Sequence, residues 1–101
     1  FKTESKNIFS IITELENTID KRKIEDTNNS YVASLLKKGV KEIAKKLTEE
    51  AGETSIAAVT DDGRIIDESA DLLFHLLVLL KSQNYSLNDV MAELKKRRIN
   101  Q

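Results

Sequence analysis

Two long stretches of helix-forming residues, at about 40–59 and 65–82, are separated only by the turn sequence Asp61-Asp62-Gly63. The chain of 101 residues has no proline and three glycines, so few positions interrupt a helix. At 1.5 Å rise per residue, the first stretch predicts a helix about 30 Å long. We therefore expect the two stretches to form a helical hairpin within an all-α protein.

A helical pattern also precedes the hairpin. Apolar residues recur every three or four positions at Ile8, Ile11, Ile12, Leu15 and Ile19. With Ser5 and Asn7 as capping candidates, this pattern predicts a first helix that ends near Lys23. Its apolar face requires a packing partner elsewhere in the chain.

Two shorter helices are predicted from their capping residues. Polar residues 25–30 predict a loop, after which Ser30 can cap a short helix that stops at Gly39. Ser86 opens a last helix, in which we expect Val90 and Leu94 to face inward. The sequence therefore predicts an antiparallel helical bundle of four to five helices, in a single domain spanning 1–101.

The composition argues against several classes of protein. The absence of cysteine excludes a disulfide framework and fits a reducing compartment, so we expect a cytoplasmic protein. The longest apolar run, 72–80, falls short of the ~20 residues that cross a bilayer, and a net charge of -1 provides no field for nucleic acid. Because the chain begins at Phe1 rather than Met, we expect it to be trimmed or cut from a longer polypeptide.

Carboxylates in the hairpin follow the spacing E-E-x-x-E on the first helix and E-x-x-D on the second. They are Glu49, Glu50, Glu53, Glu68 and Asp71. Two acidic faces joined by a turn can converge on a hard divalent cation. Magnesium takes oxygen ligands and usually keeps waters and substrate phosphates in its other positions. The pattern therefore indicates magnesium-dependent nucleotide chemistry.

Ordinary solvated helix faces are the alternative interpretation of these acids. Two features argue against it: Glu49 and Glu53 are like charges four residues apart, and Asp71 lies among apolar residues, where a carboxylate needs a counter-charge. We also expect the acids of the first hairpin helix to be separated from its packed stripe. That stripe is predicted to contain Ala44, Leu47, Ala51 and Ala58.

Other metal sites fit the sequence poorly. An EF-hand requires a loop of alternating acids, a zinc site requires more than one histidine when cysteine is absent, and a di-iron bundle requires Glu-x-x-His pairs. His75 is expected to be a buried, hydrogen-bonded residue that orients a carboxylate or lines the pocket.

Several motifs flank the acids. They are Arg22-Lys23, Ser30-Tyr31, Lys46 three residues before Glu49, and Phe74-His75. With this ordered set, the chain closely resembles the phosphoribosyl-ATP pyrophosphohydrolase family from about residue 8 to 97. The acidic core is shared by the wider all-α nucleotide pyrophosphohydrolase superfamily, so the flanking motifs carry the assignment of substrate.

The resemblance implies hydrolysis of phosphoribosyl-ATP to phosphoribosyl-AMP and pyrophosphate, the second step of histidine biosynthesis, in a cytoplasmic homodimer. It implies that one or more Mg²⁺ ions are held by Glu49, Glu50, Glu53 and Asp71, with Glu68 as a further ligand or supporting acid. One of the glutamates would accept a proton from the attacking water.

The resemblance also implies a set of substrate-binding residues. Arg22, Lys23 and Lys46 are candidates for phosphate contacts, and His75 is expected to line the pocket. Ser30 and Tyr31 would either contact the substrate or simply cap and pack a helix.

Two other functions remain open at this point. A sibling enzyme could use the same metal core on dUTP or damaged nucleoside triphosphates. A non-catalytic helical dimerisation module would carry the acids only for solubility.

Overall fold

The computed structural model describes residues 2–24 and 30–98, with side chains from Phe9 onward within those ranges. Described residues form five α-helices and no strand. The helices are α1 (Lys2–Arg22), α2 (Tyr31–Lys38), α3 (Val40–Thr60), α4 (Ile65–Ser82) and α5 (Leu87–Arg97). The prediction of an all-α bundle is confirmed.

The boundaries of α2 follow from two capping residues. Ser30 has an extended backbone, and its side-chain oxygen accepts a hydrogen bond from the backbone N–H of Ala33 at 3.1 Å. Gly39 adopts φ +99°, a conformation that favours glycine, and separates α2 from α3. Both predicted boundaries are therefore confirmed.

The predicted start of the first helix is wrong. Helix α1 is already formed at Lys2, so Ser5 and Asn7 lie inside it rather than at its cap. Because the first residues include neither proline nor glycine, the helix has no local stop signal there. Most of the predicted loop falls on residues 25–29, which lie outside the described residues.

The hairpin of α3 and α4 is the most extensive helix pair in the described chain. Asp61 adopts a left-handed conformation at φ 52°, and its N–H donates to the carbonyl of Ala57 at 3.1 Å. Gly63 follows at φ 81°, which reverses the chain before α4. The predicted hairpin and its turn are confirmed.

A small apolar core joins the first four helices. Its buried members are Ile19, Val32, Leu35, Ile43, Leu77 and Val78. Helix α5 contributes no buried residue. Val90 is partly buried and Leu94 is 44% exposed, so the prediction that both face inward is wrong for Leu94. The start of α5 is tied to α1, where the Glu16 carboxylate accepts a hydrogen bond from the N–H of Leu87 at 2.7 Å.

The packed face of α3 also differs from the prediction. Ala44, Ala51 and Ala58 are exposed, and Leu47 is only partly buried. The buried residues are Ile43 and Ala57, and the line that connects them along the helix passes through Glu50 and Thr54. Acids and packed residues are therefore not separated on α3, because Glu50 lies on the side that faces α4.

No helix among residues 2–24 and 30–98 combines the length and apolar character that a transmembrane span requires.

Candidate metal and substrate site

Three glutamates from the hairpin meet at one point. Glu50 and Glu53 of α3 and Glu68 of α4 each offer one carboxylate oxygen, and these oxygens all lie within 4.8 Å of one another. We call this group the three-glutamate cluster. The structure thus brings the two predicted acidic motifs together, and the cluster has the oxygen chemistry that a hard divalent cation requires.

Thr54 holds the two helices together beside this cluster. Its hydroxyl oxygen lies 2.8 Å from the carbonyl of Glu50 on its own helix and 3.0 Å from the carbonyl of Glu68 on α4. The single hydroxyl proton can be donated to either oxygen. Sequence reasoning missed Thr54, because a threonine four residues after Glu50 predicts only the bond within the helix.

Arg64 supplies a counter-charge to the buried member of the cluster. Glu68 is only 8% exposed, and a guanidinium nitrogen of Arg64 lies 3.4 Å from its Oε2. A buried carboxylate requires such a partner. Arg64 was also missed from the sequence, although its spacing of four residues before Glu68 is typical of a helical ion pair.

Negative charge accumulates at Glu50. Partial burial raises the pKa of its carboxyl group above the usual value, and Glu53, Asp71 and Glu68 raise the pKa further. His75 opposes this effect. The ionised carboxylate is therefore disfavoured in the absence of a cation, so a bound cation would be stabilised there.

We expect the protein without divalent ions to lose stability relative to the Glu50→Gln variant as pH rises. With its pKa raised on folding, Glu50 binds more protons in the folded than in the unfolded state, so stability falls as pH rises from the usual carboxyl pKa through the raised one. The repulsion of Glu53 alone corresponds to about 0.2–0.5 kcal/mol. Urea unfolding of both proteins in the presence of EDTA at pH 4 and pH 7 measures this difference in the free energy of unfolding. An increase in the stability of the wild type relative to the variant between pH 4 and pH 7 would contradict the prediction.

The other two predicted acids lie outside the three-glutamate cluster. Glu49 forms an ion pair with Lys46 at 3.6 Å. Asp71 is exposed, so the prediction that it is held in apolar surroundings is wrong. The burial of α4 is concentrated at Leu77 and Val78, near the end of α4 where Lys81 pairs with Asp20 of α1. As metal ligands, Glu49 and Asp71 remain predictions.

Tyr31 and His75 are joined by a hydrogen bond between α2 and α4. The Tyr31 hydroxyl lies 2.9 Å from Nε2 of His75, and Nδ1 of the same ring lies 2.8 Å from the carbonyl oxygen of Asp71. His75 is 7% exposed, which agrees with the prediction of a buried, hydrogen-bonded histidine. The pair lies next to the acids of α3, since Glu50 interacts electrostatically with both rings.

Lys46 belongs to the same neighbourhood. Tyr31 and Glu49 raise the pKa of its ammonium group. Because the Tyr31 phenol is uncharged at neutral pH, the carboxylate of Glu49 provides the attraction for the Lys46 ammonium at that pH.

Ser30 caps α2, as predicted. Its direct contact with a substrate remains a prediction.

Arg22 and Lys23 lie at the other end of the bundle. Lys23 forms an ion pair with Asp20 at 3.5 Å and lines a cavity of about 560 Å³ together with Ser82. Ser82 and Glu68 are 14 residues apart on α4, a separation of about 21 Å along the helix axis. The structure therefore does not bring Lys23 to the three-glutamate cluster, and its role in substrate binding, like that of Arg22, remains a prediction.

Comparison with known proteins assigns the chain to a family. The profile of phosphoribosyl-ATP pyrophosphohydrolase matches residues 12–98. This chain belongs to the phosphoribosyl-ATP pyrophosphohydrolase family. The matched residues contain both acidic motifs of this chain together with Tyr31, Lys46 and His75.

Curated relatives carry two kinds of name. A "Phosphoribosyl-ATP pyrophosphatase" of Rhizorhabdus wittichii is 51% identical over 87 residues, which cover 85% of this chain and 82% of the relative. One of Pyrobaculum neutrophilum is 47% identical over 89 residues, covering 86% and 94%. A "Histidine biosynthesis bifunctional protein HisIE" of Buchnera aphidicola is 47% identical over 93 residues, covering 91% and 45%. The chain therefore spans about half the length of the bifunctional relatives of this phosphoribosyl-ATP pyrophosphohydrolase family.

Proposed function

We propose that this chain hydrolyses phosphoribosyl-ATP to phosphoribosyl-AMP and pyrophosphate, in the second step of histidine biosynthesis and in the cytoplasm. The observation that carries the proposal is the three-glutamate cluster across α3 and α4, within a chain whose residues 12–98 match this family. The choice of substrate is supported by relatives named phosphoribosyl-ATP pyrophosphatase, whose sequences are 51% and 47% identical to this chain over the aligned residues.

The donor set fits magnesium. All three oxygens of the cluster are carboxylate oxygens, and the pKa of Glu50 is raised by its burial and by the neighbouring carboxylates. The proposed ligands are Glu49, Glu50, Glu53, Glu68 and Asp71. Bound magnesium neutralises phosphate charge and makes water easier to deprotonate.

The protein's own groups have three tasks in this reaction. With magnesium bound, the cluster would position the triphosphate end of the substrate close to α3 and α4, and one of its glutamates would accept the proton of the attacking water. Lys46, which pairs with Glu49 and interacts electrostatically with Tyr31, donates hydrogen bonds to phosphate oxygens. We retain Arg22 and Lys23 as phosphate-binding residues on the resemblance alone.

The substrate assignment is tested by measuring pyrophosphate release in the presence of Mg²⁺. We expect phosphoribosyl-ATP to be hydrolysed with a higher kcat/KM than dUTP, ATP or oxidised nucleoside triphosphates. A preference for a simple triphosphate would indicate a sibling enzyme of the superfamily. No release from any nucleotide would favour a non-catalytic module.

We also propose that the chain forms a homodimer through its hairpin. Ile56 and Val59 on α3 are 62% and 85% exposed, and Ile66 on α4 is 76% exposed. Leu73 follows Ile66 on the same side of α4 and is partly exposed as well. Apolar faces of this kind usually pack against a partner. Sedimentation equilibrium is expected to give twice the mass of the 11.4 kDa chain, and a monomer at micromolar concentration would contradict this proposal.

A further inference from the structure

Both ring nitrogens of His75 have a hydrogen-bond partner. His75 is the single histidine of the chain, and it is buried between α2 and α4. Its Nδ1 lies 2.8 Å from the carbonyl oxygen of Asp71, and its Nε2 lies 2.9 Å from the hydroxyl oxygen of Tyr31. These two partners differ in what they can donate.

The carbonyl partner determines where the proton of the ring lies. A carbonyl oxygen only accepts hydrogen bonds, so Nδ1 of His75 must carry a proton and donate it to Asp71. In the neutral imidazole, Nε2 then has only a lone pair. The remaining contact, at 2.9 Å, requires Tyr31 to donate its hydroxyl proton to Nε2.

Tyr31 therefore has no proton left for a second partner. Partial burial raises the pKa of its phenol above the usual value near 10; the charge of Lys46 opposes this effect and that of Glu50 adds to it, and the group keeps its proton at neutral pH. The residue is nevertheless 52% exposed and lies beside the acids of α3. To any further partner, its oxygen presents only lone pairs.

We propose that Tyr31 determines specificity by accepting a hydrogen bond from a hydroxyl or N–H group of the nucleoside part of the substrate, and that His75 positions it. Phosphate oxygens are acceptors, so they do not match the free lone pairs of Tyr31. The inference rests on the proposed function for the identity of the nucleotide. It deepens that function by separating Tyr31 from the phosphate-binding residues.

The proton arrangement can be measured without any activity. Because the chain has one histidine, ¹⁵N NMR of the histidine-labelled protein at pH 8 gives one pair of ring signals. We expect Nδ1 to carry the proton and Nε2 to be unprotonated. In the Tyr31→Phe variant, the chemical shift of Nε2 should move toward that of an unprotonated ring nitrogen that accepts no hydrogen bond. A proton on Nε2 in the wild type would overturn the proposal.

Kinetics test the role toward the substrate. For Tyr31→Phe we expect KM for phosphoribosyl-ATP to rise about 3- to 10-fold, the effect of one neutral hydrogen bond, with kcat within about 2-fold. Inhibition by inorganic pyrophosphate should be unchanged. His75→Leu should also raise KM. His75→Gln should raise it less, because the glutamine amide oxygen can accept a hydrogen bond from Tyr31.

Tyr85→Phe is the matched control, since it removes the hydroxyl of the other tyrosine, which is exposed on the link before α5. An unchanged KM in Tyr31→Phe, or equal weakening of pyrophosphate inhibition, would overturn the proposal. If the wild type fails to hydrolyse phosphoribosyl-ATP, the proposed function is wrong, and the NMR result decides the proton assignment independently.

Discussion

The Glu68→Gln variant is expected to hydrolyse phosphoribosyl-ATP at least about 10²-fold more slowly than the wild type, with its helices intact. Removal of this carboxylate leaves two acids in the three-glutamate cluster, and on the proposed function it would weaken both metal binding and proton transfer. Glutamine preserves the shape of the side chain in a residue that is only 8% exposed, which limits structural damage. Pyrophosphate release at saturating Mg²⁺ measures the loss, and circular dichroism checks the fold.

Asp67→Asn is a matched control for this experiment. Asp67 is the neighbouring residue on α4, also carries one negative charge, and is exposed. Its replacement changes the net charge equally but leaves the cluster complete, so we expect activity within about 2-fold of the wild type. Full activity in Glu68→Gln would show that the cluster is not the reaction site.

Magnesium is expected to stabilise the wild type and to have little effect on Glu50→Gln. An ion that binds only the folded protein adds about 2.7 kcal/mol to the free energy of unfolding at 100 times its Kd. For a domain of this size, that corresponds to a Tm rise of roughly 10–20 °C. Glu50→Gln removes both a proposed ligand and the repulsion between carboxylates that a bound ion would relieve. Thermal unfolding with increasing MgCl₂ measures the effect.

Salt provides the control for this second experiment, because added ions also screen repulsion between carboxylates. Sodium chloride at matched ionic strength should raise the Tm of the wild type far less than MgCl₂ does. Equal stabilisation by the two salts, or an equal response of wild type and Glu50→Gln to magnesium, would argue against a specific ion site.

The helices were predictable because their signals are local. Ser30 and Gly39 delimit α2 through backbone preferences, and the turn at Asp61 and Gly63 reverses the chain whatever packs around it. The start of α1 was not predictable from Ser5 and Asn7, since a capping residue is also tolerated inside a helix that nothing interrupts.

The site was only partly predictable. Helical spacing places Glu50 and Glu68 on faces that can meet, which the structure confirms. Spacing along one helix does not determine the rotation of α3 against α4 or the depth at which α1 packs. For that reason the burial expected at Asp71 occurs at Glu68 instead, and the contribution of Thr54 appears only when the two helices are assembled.

The hydroxyl of Thr54 has a consequence for the spacing of the carboxylates. It bridges the backbones of both helices beside the cluster, at 2.8 and 3.0 Å, so the two helices cannot slide past each other without losing the bond. A shift by one residue would move the carboxylates by about 1.5 Å, whereas metal–oxygen distances for magnesium and calcium differ by only about 0.2–0.6 Å. Any ion held between α3 and α4 would therefore have its ligands on two backbones that Thr54 helps to keep in register, although Thr54 itself contributes no ligand.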